Sequence, residues 1–247
     1  MKIGLGIVTY MRPLERFDGA WRSAWDKLQD VVDVWVAVDD GSDGEAARTY
    51  DRIRDELPFP LLSIPHGGCA ASKNAALRHL MDQGCDYLFV MEDDMRVLDP
   101  KAVTEYIRVS QQSGVEHFSY AKHGTANENL GMIERRPDGV ELWPASVGSW
   151  TMWTRNCIET VGYMDEEMYC AMEHVHHTYR CALAGLTTPM WEFADVAGSE
   201  NWLAPQPDCY ATSTFAGKNT DVWTNVADAK VRWNEWHRRE YGTDFWI

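Results

Sequence analysis

The chain has no long apolar run. No stretch approaches the roughly 20 residues that a membrane-spanning helix needs, so no span is expected. It also lacks paired cysteines. Cys69, Cys85, Cys157, Cys170, Cys181 and Cys209 are scattered with no C-x-x-C pair, which argues against a zinc site or a disulfide framework and for reduced thiols in a cytoplasmic protein. Positive charge is scarce: 23 Lys and Arg stand against 38 Asp and Glu, giving a net charge of −15. That balance disfavours a protein that grips nucleic acid through its phosphates. Several signatures are absent as well. There is no G-x-x-x-x-G-K-[ST] phosphate loop and no H-E-x-x-H zinc helix, and Gly4 and Gly6 lack the third glycine of a dinucleotide fingerprint. A strand-like run begins at Ile3, so no secretory leader is expected.

What is present is a repeating α/β pattern. Apolar runs at Ile3–Val8, Val34–Val38, Leu61–Ile64 and Tyr87–Met91 read as strands. Helical patterns follow at 14–28, where Phe17, Trp21, Ala24, Trp25 and Leu28 share a face, and at 45–57. Further helices are expected from the His66–Asn74 segment to about Asp82, and from the Asp99-Pro100 cap to near Gly114. A strand at 117–121, a hairpin around Pro137-Asp138-Gly139 and a late helix over 227–241 complete the reading. This order predicts a mostly parallel sheet flanked by helices, with its polar strand ends along one edge.

Three strand ends carry chemistry. Val38 runs into Asp39-Asp40-Gly41-Ser42, whose acids can accept hydrogen bonds from a base or ribose. Gly67 and Gly68 open a helix containing Lys73, a pattern that offers backbone N–H groups and a point charge to phosphate. Tyr87–Met91 ends in Glu92, Asp93 and Asp94. Three adjacent acids repel one another unless a cation sits among them, and Mg²⁺ or Mn²⁺ suits carboxylate oxygens. Each segment alone also fits a plain turn. Twelve tryptophans are many for 247 residues. Several late ones (Trp202, Trp223, Trp233, Trp236, Trp246) sit among polar residues, a pattern that suits exposed rings stacking on sugars or bases.

In this order the motifs resemble the GT-A fold, family 2-like nucleotide-sugar glycosyltransferases. Ile7-Val-Thr-Tyr-Met-Arg-Pro13, Val38-Asp-Asp-Gly-Ser42, Gly67-Gly-Cys-Ala-Ala-Ser-Lys-Asn74 and Val90-Met-Glu-Asp-Asp-Met95 are similar to its nucleotide loop, D-D-G-S turn, Gly-rich helix start and D-x-D segment. Val161-Gly-Tyr-Met-Asp165 and Glu173-His-Val-His-His-Thr-Tyr-Arg-Cys-Ala-Leu-Ala-Gly185 resemble its V-G-G-F-D turn and acidic helix, with Arg180 and Gly185 in register. The resemblance implies donor contacts from Thr9, Tyr10, Arg12, Asp39, Asp40, Gly67, Gly68, Lys73, Asn74 and Asp93. It implies a metal, Mn²⁺ or Mg²⁺, on Glu92 and Asp94, and transfer of a sugar from a nucleoside diphosphate donor, UDP-sugar favoured, with inversion. The family's catalytic Asp position is His174 and its next acidic position is His176. Glu173 therefore ranks first as base and His174 second, with His176 free to join the metal shell.

Trp150 and Trp153 are the expected acceptor contacts, with at least one of the two in the core. Residues 1–198 are expected to form the transferase domain, split at 121 into donor and acceptor halves, and 199–247 a Trp-rich extension or acceptor lid. The acceptor stays open among a glycan, a small molecule, a protein side chain and a hydroxymethylated DNA base, the last disfavoured by charge. A sugar nucleotidyltransferase and a non-catalytic carbohydrate-binding protein are the rival readings.

Overall fold

A computed structural model describes residues 1–123, 127, 130–169, 172–207 and 222–245. Cys170, Cys209, Trp246 and the Trp223 side chain lie outside that description. The strands are β1 (Ile3–Thr9), β2 (Val34–Asp39), β3 (Leu61–Ser63), β4 (Tyr87–Glu92), β5 (Met95–Val97), β6 (His117–Ser119), β7 (Glu134–Arg135), β8 (Val140–Trp143), β9 (Trp150–Thr154), β10 (Phe193–Val196) and β11 (Leu203–Pro205). The helices are α1 (Leu14–Leu28), α2 (Gly44–Ile53), α3 (Gly68–Asp82), α4 (Lys101–Ser113), α5 (Arg155–Val161), α6 (Glu173–Leu183) and α7 (Val222–Tyr241).

The main sheet has the order β3-β2-β1-β4-β9-β6. β1 pairs in parallel with both β2 and β4, and β9 is antiparallel to both of its neighbours. Because β1 is covered on both faces, every one of its residues is buried, as expected of a central parallel strand. Gly4 and Gly6 serve packing: a Cβ on Gly6 would lie 2.6 Å from Ala76 of α3, and one on Gly4 2.7 Å from Cys85 and Leu80. Phe17 of α1, Tyr50 of α2 and Tyr106 of α4 belong to the core on one face. Leu77 of α3, Ile158 of α5 and Cys181 of α6 belong to the core on the other. The sheet is thus the middle layer of three. Left-handed Gly114 (φ 76°) stops α4 where a side chain would be strained.

Three expectations change. Trp150 and Trp153 do project to opposite faces, but both faces are covered and both rings are fully buried. Trp150 packs on Phe89 and Tyr106, and Trp153 stacks on His117, so neither can meet an acceptor. The late tryptophans are not a row of exposed rings either. Trp233 on α7 is fully buried and stacks on Phe245 at 4.9 Å, while Trp236 packs edge-on to His176 of α6 at 4.6 Å. Finally, residues beyond 198 reach back to the acidic strand end. β11 pairs with β5, and the Gln206 amide donates to the carbonyls of Asp93 and Arg16, both at 2.8 Å.

Trp233→Ala should lower the unfolding free energy in urea by about 3–5 kcal/mol, the cost of emptying a large core site. A loss below about 1 kcal/mol would mean that α7 is not part of the cooperative core.

Candidate active site

The site lies where β1, β2 and β4 end along the same sheet edge and α3 and α6 begin above it. The three acids after β4 diverge, and each meets its own partner. Glu92 Oε1 lies 2.6 Å from Lys73 Nζ. Asp93 accepts from Thr9 Oγ1 at 2.6 Å and Arg12 Nε at 3.0 Å. Asp94 Oδ2 lies 3.3 Å from His123 Nε2. The repulsion that the sequence implied is therefore relieved first by this chain's own cations. Asp93, expected to contact the donor, is buried behind the edge with its carboxylate engaged by Thr9 and Arg12. Desolvation pushes its pKa up to about 6 against the pull of Arg12 and Thr9.

The Asp39–Ser42 turn is also closed on itself. Asp39 Oδ1 accepts from Ser42 N, and Ser42 Oγ accepts from Met11 N. Gly41 (φ +68°) is required, since a Cβ there would fall 2.4 Å from His66 N. Asp40 accepts from the N–H groups of Gly67 and Gly68 and faces His66 Nδ1, all at 2.9 Å. Its burial raises its pKa while those donors pull it down. At the expected phosphate cradle, the Gly67 and Gly68 N–H groups donate to Asp40, and Ala70 N donates to Tyr169 O. Asp40 is likewise engaged within the chain rather than open to a ribose.

Aromatic groups cover this corner. Tyr10 stacks on His66 with centroids 4.2 Å apart, and Tyr169 Oη meets His66 Nε2 at 2.6 Å. Neither His66 nor Tyr169 was singled out from sequence, although His66 directly precedes the Gly67-Gly68 motif. Asn74 braces the turn before α6. It accepts from Met164 N and donates to Met164 O and Glu166, all at 2.9 Å, which leaves its expected donor contact without a free amide. Arg180 holds the same turn through the carbonyls of Tyr163 and Val161.

Glu173 opens α6, where a carboxylate complements the helix dipole. Its Oε1 accepts from Lys73 Nζ at 3.0 Å and faces His174 Nδ1 at 3.3 Å. Burial opposes its charge, but Lys73 and His174 outweigh it and hold its pKa well below the usual carboxylate range. Lys73 is fully buried. Desolvation disfavours its charge, yet Glu92 and Glu173 keep it protonated. His174 turns Nε2 to the Ser146 carbonyl at 3.1 Å. The loop carrying Ser146 lies tight on the site: a Cβ on Gly148 would stand 2.7 Å from Lys73 Nζ and 2.9 Å from the His174 ring.

His177 is a core residue, accepting from Trp153 Nε1 and meeting Gly162 O. His176 is enclosed by Trp233 and Trp236, and among the described residues no three His, Cys, Asp or Glu converge on a metal position. His176, expected to be free to join the metal shell, thus lies among the rings of α7. Left-handed backbone at Met11, Tyr169 and Met172 borders the site, as strain often does at working residues.

No protein-family model matches the chain, and no curated protein matches it in sequence. Solved structures do match in fold. TarS of S. aureus aligns with a TM-score of 0.59 at 12% identity, over 96% of this chain and 44% of that one. A mannosyltransferase from Pyrobaculum calidifontis, PcManGT in complex with GDP-Man and Mn²⁺, aligns at 0.56 with 17% identity, over 76% and 55%. GalNAc-T7 with UDP, GalNAc and Mn²⁺ aligns at 0.51 with 11% identity, over 72% and 40%. The chain spans about half of these proteins' lengths, or less. It has the GT-A fold of these glycosyltransferases.

The buried acids and histidines give opposite pH trends. Asp93 keeps its proton up to about 6 in the folded chain, so it favours the fold less as pH rises towards that value. His117 and His176, lowered by burial to about 4 and about 3, favour the fold less as pH falls below the unfolded histidine range. Asp93→Asn removes one compensating group. Between pH 6 and pH 4.5 the variant should lose roughly 1–2 kcal/mol more stability than the native chain, read from urea unfolding at both pH values. Identical pH slopes for the two chains would contradict this account of Asp93.

Proposed function

We propose that this chain is a metal-dependent glycosyltransferase that moves a sugar from a nucleoside diphosphate donor, UDP-sugar favoured, to an acceptor hydroxyl with inversion. The observation that carries the reading is the convergence, on one edge of a GT-A sheet, of the strand-end acid Glu92 with Glu173 and His174 from α6, joined through Lys73, with Asp94 on the same acidic turn beside His123. A carbohydrate-binding module has no need of such a charged, interlocked edge.

The donor set fits a divalent cation. Among the described residues, Asp94 Oδ1 is buried without a hydrogen-bond partner, an orphan acceptor beside the cleft. Two carboxylates with no all-protein cage suit Mg²⁺ or Mn²⁺, which commonly take remaining ligands from substrate phosphates. Glu92 and Asp94 would hold it, and when bound it would neutralise the leaving diphosphate as a Lewis acid. Tyr10, with His66 and Tyr169, supplies an aromatic wall for the donor's base. Thr9 and Arg12 fix the acid-bearing turn through the Asp93 carboxylate.

Glu173 is the more enclosed of the two base candidates and is held by Lys73, whereas His174 sits nearer the opening. We assign the base to His174: its Nε2 donates to the Ser146 carbonyl here, and to act as base that nitrogen must shed its proton and exchange the carbonyl for the acceptor hydroxyl. Glu173 on Nδ1 orients the ring and favours the imidazolium formed as the hydroxyl loses its proton. The loop through Gly148 lies tight against Lys73 and His174, a position from which it would limit water at the reacting centre.

A thermal-shift screen of nucleoside diphosphates, with and without Mn²⁺, tests the donor site. A nucleotide at 100 times its Kd should raise Tm by about 5–10 °C, in the presence of metal. Asp94→Asn should abolish the metal-dependent part. No shift with any nucleotide would remove the transferase reading. Once a transfer assay exists, His174→Ala should lower kcat about 10²–10⁴-fold, a loss typical of removing a general base. A His174→Ala enzyme within a few-fold of native would return the base to Glu173.

A further inference from the structure

We infer that Lys73 stands in for the divalent cation and couples metal loading to the base: without metal its ammonium holds Glu92, and metal binding hands it over to Glu173. The inference rests on the reading that Glu92 and Asp94 take the metal. Its own grounds are geometric. Lys73 Nζ lies 2.6 Å from Glu92 and 3.0 Å from Glu173, so one buried cation is shared between the β4 end and the α6 start. The two carboxylates differ in setting: the Glu92 side chain is 29% exposed and the Glu173 side chain 5%. Glu92 therefore faces the cleft from which an ion arrives, while Glu173 lies behind it.

Lys73 has little freedom to retreat. Its side chain is wholly enclosed, and the Gly148 backbone passes so close that even a methyl group there would press on Nζ. A divalent ion on Glu92 repels the ammonium, and Glu173 is the acid already within hydrogen-bond reach. Glu173 Oε1 is the same atom that faces His174 Nδ1. A closer Lys73–Glu173 pair therefore changes the field and the hydrogen bond that orient His174. Lys73 acts through its two partners, so it is a positioning residue for both the metal and the base.

The test is Mn²⁺ binding by the full chain, read as the electron paramagnetic resonance signal of free Mn²⁺, with Mn²⁺ alone and with UDP added. Lys73→Met removes the competing cation and should tighten Mn²⁺ binding about tenfold, although the protein is destabilised. Glu173→Gln removes the alternative partner, commits Lys73 to Glu92 and should weaken binding by roughly the same factor. Lys73→Arg keeps the charge and should stay close to native. A lysine with a purely structural role predicts otherwise: Lys73→Met would then bind Mn²⁺ no better than native, and that result overturns the inference. Where Lys73→Met does not fold by circular dichroism, Glu173→Gln decides, and unchanged Mn²⁺ binding there overturns it equally. A native chain that binds no Mn²⁺ under either condition defeats the metal-dependent reading together with the coupling. A native chain that binds Mn²⁺ and is insensitive to these variants defeats the coupling alone.

Discussion

A buried ammonium between two carboxylates fixes the working edge of this protein. Lys73 comes from α3, Glu92 from β4 and Glu173 from α6, a hundred residues beyond the lysine. Taking such charges out of water costs several kcal/mol per ion, so the cluster is tolerable only when all three groups meet. Removing one partner typically costs about 3–5 kcal/mol, because a charge is left buried and alone. The sheet, the helix above it and the turn before α6 must therefore all be formed before these groups are satisfied. Asn74 and Arg180 hold that turn from opposite sides, and Gln206 secures the acid-bearing turn from the far end of the chain.

Most of the sheet could be read from sequence because its strands are covered on both faces. Ile3–Thr9 and Tyr87–Glu92 are continuous apolar runs, and the residues that follow them must lie at the carboxyl edge of a parallel sheet. The location of the site follows from that rule. Which lone pairs point outward does not. Asp40 meets Gly67 and Gly68 from 27 and 28 residues away, and nothing in either segment tells a turn that binds a ligand from one that binds its neighbour. Trp150 and Trp153 failed for a related reason. Alternation sends the rings to opposite faces, but only the tertiary structure reveals that α4 covers one and α5 and α6 the other. The late tryptophans misled because Trp233 finds its core in α6 and the chain end rather than in the main sheet.

Strain and charge are concentrated where the site is built. Met11 lies in the loop after β1, and Tyr169 and Met172 flank the entry to α6; all three adopt left-handed backbone without being glycine. Such conformations cost of order 1–3 kcal/mol each and persist only when neighbours enforce them. The enforcing contacts are visible for Tyr169. Its carbonyl accepts from Ala70 N, its hydroxyl meets His66, and its ring lies against Gly68, where any side chain would collide. The α3 start and the α6 entry are consequently one interlocked surface.

That interlock bears on how a diphosphate could be held. Sequence alone suggested two devices, the N–H groups at the start of α3 and a cation on the acids. The first is already in use, since Gly67 and Gly68 donate to Asp40 and Ala70 to Tyr169. Lys73 and Arg12 are each tied to carboxylates, so neither is a free cation for an incoming anion. A phosphate approaching Glu92 and Asp94 without further positive charge would meet like charge in a partly desolvated cleft, which is unfavourable at any plausible dielectric. The proposed divalent ion would reverse that sign, and the orphan oxygen of Asp94 would give it a ligand without breaking a hydrogen bond among the described residues. Among the described residues, folding thus engages the N–H groups and the cations that the sequence offered to a phosphate, and the proposed metal would supply the positive charge in their place.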